Sequence, residues 1–211
     1  MSEETISGVE ASTELQEWVP IFEKWVFWIN DYAERVHEDV PYGDGCERAL
    51  VGILYAAALV NGWQGLQEFG QPKNDEAGGS TGRSDLWLQT PDDKRTFYVE
   101  AKVHWSMIDD EKREERIENC LKPAISDAEK VKVYPDEKNV KRLGLAFMTM
   151  RGETDLAPIV DAAKTFRALG KEPVRLTAWI FPGNKRGVHG QLGVLALMAF
   201  SNGEPQVIGS A

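Results

Sequence analysis

Two runs in the middle of the chain, SDLWLQ (84–89) and TFYVEAKV (96–103), are separated by a short polar stretch containing PDDK. A turn centred between Asp92 and Asp93 makes them a hairpin and sets Asp85 opposite Glu100, Trp87 opposite Tyr98 and Gln89 opposite Thr96. Side chains alternate along a strand. One face is then apolar, with Leu86, Leu88, Phe97, Val99, Ala101 and Val103, and the other carries Asp85, Trp87, Tyr98, Glu100 and Lys102. Directly opposed side chains lie ~5 Å apart at Cβ, so two carboxylates there repel unless positive charge sits between them. A divalent cation together with Lys102 supplies that charge. Carboxylate oxygens suit Mg²⁺ or Mn²⁺, which take one or two such ligands, waters and phosphate oxygens.

The elements around the hairpin must hold these groups. Residues 46–60, CERALVGILYAAALV, predict a helix that is apolar nearly all round and therefore buried. The charge of Glu47 near its start stands out: either it faces the same cleft, since an unpaired buried carboxylate is costly, or it favours the helix dipole. WQGLQEFG (63–70) predicts a strand, and QPKNDEAGGSTGR (71–83) a polar, Gly-rich loop. Beyond the hairpin the pattern predicts a helix over 110–133 distorted by Pro123, a buried central strand over 142–150, a helix over 155–169, and strands over 174–181 and 191–200. A strand–helix–strand unit in this order implies a parallel crossover and a mixed sheet.

The Asp85 … Glu100-Ala101-Lys102 pattern, in this setting, resembles the PD-(D/E)XK nuclease superfamily. The family core runs helix, three strands, helix, strand, and residues 46–150 follow that order. The resemblance implies an α/β restriction-endonuclease-like fold, a mixed central sheet flanked by helices, over 46–211, preceded by an acidic, aromatic-rich helical segment over 1–45. It implies metal ligands at Asp85, Glu100 and the backbone carbonyl of Ala101, with Lys102 orienting water or neutralising phosphate. Glu47 takes the place of the family's helical glutamate. Ser84 stands where the family often has proline. The same acid-x-Lys spacing recurs at Asp92, Asp110 and Asp136, but only Glu100 lies in a strand with an acid across the hairpin. Arg83 and Lys73, in the Gly-rich loop, are the expected phosphate contacts. Lys112, Arg113, Arg116, Lys185 and Arg186 are weaker candidates, and His37, His104 and His189 make no metal spacing.

The formal net charge is −10, which argues against a protein that merely coats nucleic acid. The charge is uneven: residues 1–40 hold ten acids and two bases, residues 41–211 twenty-four acids and twenty-two bases. Residues 12–37 predict a helix capped at Ser12 or Thr13, with Pro20 at a kink or a first turn. Trp18, Trp25 and Trp28 on it offer either a packed core face or a homodimer surface. Cys46 and Cys120 read as buried free thiols. With no basic, apolar leader and no run of about 20 apolar residues, the expected location is the cytoplasm, with no membrane partner.

The leading expectation is a Mg²⁺- or Mn²⁺-dependent endonuclease-like phosphodiesterase acting on nucleic acid, DNA before RNA. The alternative is a non-catalytic binding or regulatory protein on the same fold, docking a basic partner through its acidic N-terminal surface. A small-molecule enzyme is the third reading, and no motif speaks for it.

Overall fold

The computed structural model describes residues 5–35, 46–73, 81–107, 113–137, 139–152, 174–182, 186–187 and 190–201. Among them the runs rich in β-branched, aromatic and apolar residues pair into one mixed sheet. Its strands are β1 (Ile6–Ala11), β2 (Gln64–Pro72), β3 (Thr81–Gln89), β4 (Thr96–Met107), β5 (Val140–Gly152), β6 (Leu176–Phe181), β7 (Arg186–Gly187) and β8 (Gly190–Phe200). The main path runs β1-β6-β8-β5-β4-β3-β2, with the two-residue β7 beside β8. Every neighbouring pair is antiparallel except β4 and β5, which are parallel and joined through helix α3 (Arg113–Glu129). That is the expected crossover. β5 lies between β4 and β8, and its residues from Arg142 to Met150 are buried, as their near-continuous apolar run predicts. The helix expected over 155–169 lies outside the described residues, as do His37, His189, Lys112 and Lys185.

Helices cover both faces of the sheet. On one face α1 (Val19–Arg35) and α2 (Glu47–Val60) pack over Leu86, Leu88, Phe97, Val99, Ala101, Leu145 and Phe147. On the other, α3 lays Ile117, Cys120, Leu121 and Ile125 against Ala146, Met148, Leu195 and Leu197. The close approach of α3 needs Gly144, because a Cβ there would come within 2.5 Å of the Ile125 backbone nitrogen. Pro123 sits on the solvent side of α3, and the helix runs through it.

The N-terminal segment departs from its expected form. It opens with a strand, not a helix: β1 pairs with β6 at the sheet edge. A 3-10 turn, Thr13–Trp18, precedes α1, so Pro20 falls in the first turn of α1, where its missing N–H leaves no helical bond unmade. Of the two readings of the aromatic arc, Trp18 and Trp25 take the packed core face. Trp18 and Trp25 are 0% exposed. Trp18 meets Phe97 edge-on at 5.3 Å, Trp25 stacks on Phe147 at 5.6 Å, and the Trp25 indole N–H donates to the Leu50 carbonyl at 3.1 Å. Trp28 packs partly buried against the same core. The large rings are the molecule's own core, since burying them removes more apolar area than any other side chains here would. Cys46 and Cys120 are both free and buried, as expected. No helix among the described residues is long and apolar enough to cross a membrane.

Candidate functional site

The hairpin register is the one its turn predicts: Gln89 pairs with Thr96, Leu88 with Phe97, Trp87 with Tyr98 and Leu86 with Val99. One step further would bring Asp85 opposite Glu100, and there the ladder stops. On the other side of β3 the same residue marks a second break. β2 and β3 keep one register from Gln64–Gln89 to Pro72–Thr81, but the pair Glu68–Asp85 is skipped. Glu68 takes a positive φ of 46° at that point. A non-glycine residue in this region costs about 1–3 kcal/mol, strain that clusters at working sites. The sheet therefore opens on both sides of Asp85.

The opening leaves backbone donors of β4 without a strand partner, and carboxylates take them. Asp85 Oδ2 accepts from the Ala101 N–H at 2.6 Å. Glu47, the first residue of α2, accepts from the Val103 N–H at 3.1 Å through Oε2. Glu47 and Asp85 line one open recess, whereas Glu100 and Lys102, expected in the same cleft, are not among its lining residues. A strand residue's N–H and C=O point to the same side, so the Ala101 carbonyl faces the gap as well. The Ala101 side chain is buried in the core on the α2 face.

Glu100 and Lys102 project from the opposite face of β4, toward α3. Glu100 is 3% exposed. Lys73, just past β2, brings its ammonium to 2.8 Å from Glu100 Oε1. The Ser84 side chain also hydrogen-bonds the Glu100 carboxylate. Gly82 makes room for the lysine stem, since a Cβ at that position would lie 2.5 Å from Lys73 Cδ. Lys102 Nζ lies 2.9 Å from Asp127 Oδ2 on α3. The Cys120 thiol donates to the Lys102 carbonyl at 3.6 Å, and burial pushes that thiol up to about 12.

The charges sense one another. Burial raises the Glu100 pKa, Lys73 opposes this, and the charge of Asp85 adds to the rise. Burial and then Asp85 raise Glu47, with Lys102 opposing. Burial works against the charge of Lys102, but Asp127, Asp85 and Glu47 outweigh it and hold the ammonium protonated above its usual range. Glu47, Asp85, Glu100 and Lys102 thus share one electrostatic neighbourhood. They do not yet form a cage: among the described residues no three His, Cys, Asp or Glu side chains converge closely enough to hold a metal ion. Each acid is drawn to a different partner instead.

Of the residues expected to contact phosphate, Arg83 lines the recess, whereas Lys73 is turned onto Glu100. His104 is half-buried further along β4. Four further residues join the site only through the fold. Asp127 lies on the sheet-facing stripe of α3 with Cys120 and Ala124, an acid among small apolar residues, which is the same signal that marks Glu47. Glu137 accepts from the Tyr98 hydroxyl at 2.8 Å and the Trp87 indole N–H at 3.2 Å, and so braces the hairpin face next to Glu100. Arg48 and Glu68 meet only across the fold, Arg48 Nε lying 2.9 Å from Glu68 Oε1. Of the acids in the N-terminal segment, Glu14 pairs with Arg175, Glu17 with Arg95 and Asp31 with Arg35.

No family model matches the chain, and no curated protein or solved structure matches it.

Proposed function

We propose that the protein is a metal-dependent nuclease of the PD-(D/E)XK kind on a restriction-endonuclease-like fold, hydrolysing phosphodiester bonds of nucleic acid, DNA first. The observation that carries this reading is the opening of the sheet around Asp85. It leaves the Asp85 and Glu47 carboxylates on backbone donors of β4 and in one recess, with Glu100 and Lys102 close by on the α3 side of the same strand. The donors are all oxygen, Glu100 is almost fully buried, and the charge of Asp85 adds to the rise that burial gives the Glu47 and Glu100 pKa values. A hard divalent cation answers each of those features. Asp85, Glu100 and the Ala101 carbonyl are the ligands for Mg²⁺ or Mn²⁺, in competition with the contacts from Lys73 and the Ala101 N–H. When bound, the cation acidifies its water and offsets charge on the attacked phosphate.

The remaining roles follow from protonation. Lys102 is held charged by Asp127, so it is a poor base; it donates to a phosphate oxygen or to the attacking water. Glu47, its pKa raised, is the better acceptor for the proton that water loses. The water oxygen bonds to phosphorus, the bond to one ester oxygen breaks, and the proton passes to that leaving oxygen. The regulatory alternative has less support, because three of the N-terminal acids are already paired within the chain.

Incubation of purified protein with plasmid, single-stranded DNA and RNA, with Mg²⁺ or Mn²⁺ and with EDTA, tests the reading. Cleavage that needs the metal is expected. Lys102→Ala and Glu100→Gln should each lower the rate by roughly 10²–10³, the size of one lost electrostatic contact in a transition state. Glu100→Gln should also weaken metal binding, and Lys102→Ala should not. Failure to bind any divalent ion and to cut any of the three substrates would end the nuclease reading.

A further inference from the structure

Beside the acids, the recess has a second chemistry. Arg48, on the first turn of α2, and Arg83, on β3, reach its mouth from two different elements. A single carboxylate separates them. Glu68 Oε1 lies 2.9 Å from Arg48 Nε, and Glu68 Oε2 lies 3.5 Å from Arg83 Nη1, so each guanidinium is matched to one oxygen. The ladder is interrupted to put that carboxylate there, at the one pair where β2 and β3 do not bond.

We infer that Arg48 and Arg83 form a clamp for a backbone phosphate of the nucleic acid, and that Glu68 is the resident anion this phosphate displaces. A phosphodiester presents two anionic oxygens much as a carboxylate does, and guanidinium forks bind either. Displacement is easy in this setting. The side chains of Arg48 and Arg83 are 80% and 71% exposed, and ion pairs so open to water hold weakly. The position suits a strand under cleavage. The clamp opens onto the recess lined by Glu47 and Asp85, so a phosphate held there sets a neighbouring phosphate beside the carboxylates. It also answers a difficulty of charge. A recess with Glu47, Asp85 and Glu68 repels a polyanion, and exchanging Glu68 for the phosphate removes one of those charges from the clamp.

This inference rests on the nuclease reading but is measured without catalysis. Binding of a fluorescently labelled 20-base-pair DNA duplex is followed by anisotropy in EDTA over a series of salt concentrations. Glu68→Gln should bind on the order of three- to tenfold more tightly than the natural chain, because a weak competing ion pair is gone. Arg48→Gln and Arg83→Gln should bind more weakly, each flattening the slope of log affinity against log salt by roughly 0.9, the value for one lost phosphate contact. Arg48→Lys and Arg83→Lys should keep the slope and lose affinity, since a lysine restores charge without the fork. A purely structural bridge would give the opposite result for Glu68→Gln: lower thermal stability and no gain in affinity. The clamp is overturned if Glu68→Gln binds no tighter, if the arginine variants leave the slope unchanged, or if no form of the protein binds the duplex at low salt. Cleavage in the presence of metal decides the nuclease reading separately. Cutting without a Glu68 effect sinks the clamp alone, and a Glu68 effect without cutting sinks the nuclease alone.

Discussion

The two ends of the β3–β4 hairpin differ in how they use the backbone. At the turn end every step from Gln89–Thr96 to Leu86–Val99 is paired, and the turn itself is closed by side chains. Thr90 Oγ donates to Asp92 Oδ1 at 2.7 Å and the Lys94 N–H donates to the same oxygen at 3.2 Å, which holds the Asp92 carboxyl down to about 2. The apolar face of this end, Leu86, Leu88 and Phe97, is sealed by Trp18 and Trp63. At the other end, a single residue further on, pairing stops on both sides of Asp85. There the backbone donors of β4 are taken by carboxylates, and burial together with the charge of Asp85 raises the pKa values of Glu47 and Glu100. One end holds the fold together, and the other is assembled at some cost to it. Sites that must bind and exchange charged ligands cannot also be fully satisfied in their absence.

Three changes sharpen that contrast, beginning with the largest effect. Phe97→Ala at the paired end should cost about 3–5 kcal/mol of stability, as loss of a fully buried ring does, and be read as a lower midpoint in chemical denaturation. A loss under 1 kcal/mol would show that the paired end is not what holds the hairpin.

Glu100→Gln at the open end should do the reverse. Burial holds the folded Glu100 carboxyl above the ordinary glutamate value of 4.5, so the folded protein binds protons more readily than the unfolded chain does. Its contribution to stability therefore falls as pH rises from about 4.5 through the folded pKa. Glu100→Gln should melt higher than the natural protein at pH 7, by ~2–4 °C for each kcal/mol recovered, and the difference should shrink toward pH 4. A variant that melts lower at pH 7 would mean that the contact with Lys73 outweighs the burial.

The smallest of the three effects concerns that lysine. Lys73→Met should tighten Mn²⁺ binding roughly three- to tenfold, because the ammonium on Glu100 competes with the cation. Titration calorimetry gives the affinity directly. Weaker binding in Lys73→Met would show that Lys73 helps to hold the site and does not compete for it.

Much of this arrangement can be read from local pattern. The symmetric spacing about Asp92 and Asp93 sets the hairpin register, because a shift of one residue would turn Leu86, Leu88, Phe97 and Val99 away from the core. Glu47 is legible as the acid at the start of a largely apolar helix. The central place of β5 is legible in its unbroken apolar run. Each of these rests on periodicity or burial, which short stretches of sequence carry.

Other features depend on contacts between distant segments. ISGVEA has no clear alternation and becomes β1 only because β6 offers it an open edge. The aromatic arc of α1 fits a core or an interface equally well, and only the sheet surface presented to it makes Trp18 and Trp25 core residues. The break in the ladder at Glu68, its meeting with Arg48 and Arg83, the turn of Lys73 onto Glu100 and the hold of Asp127 on Lys102 all join residues far apart in the chain. The sequence by itself determined which residues carry charge and which strands and helices carry them. Only the tertiary structure decided which charges face one another, because long side chains choose partners through space, and the pairing that wins depends on every element packed around them.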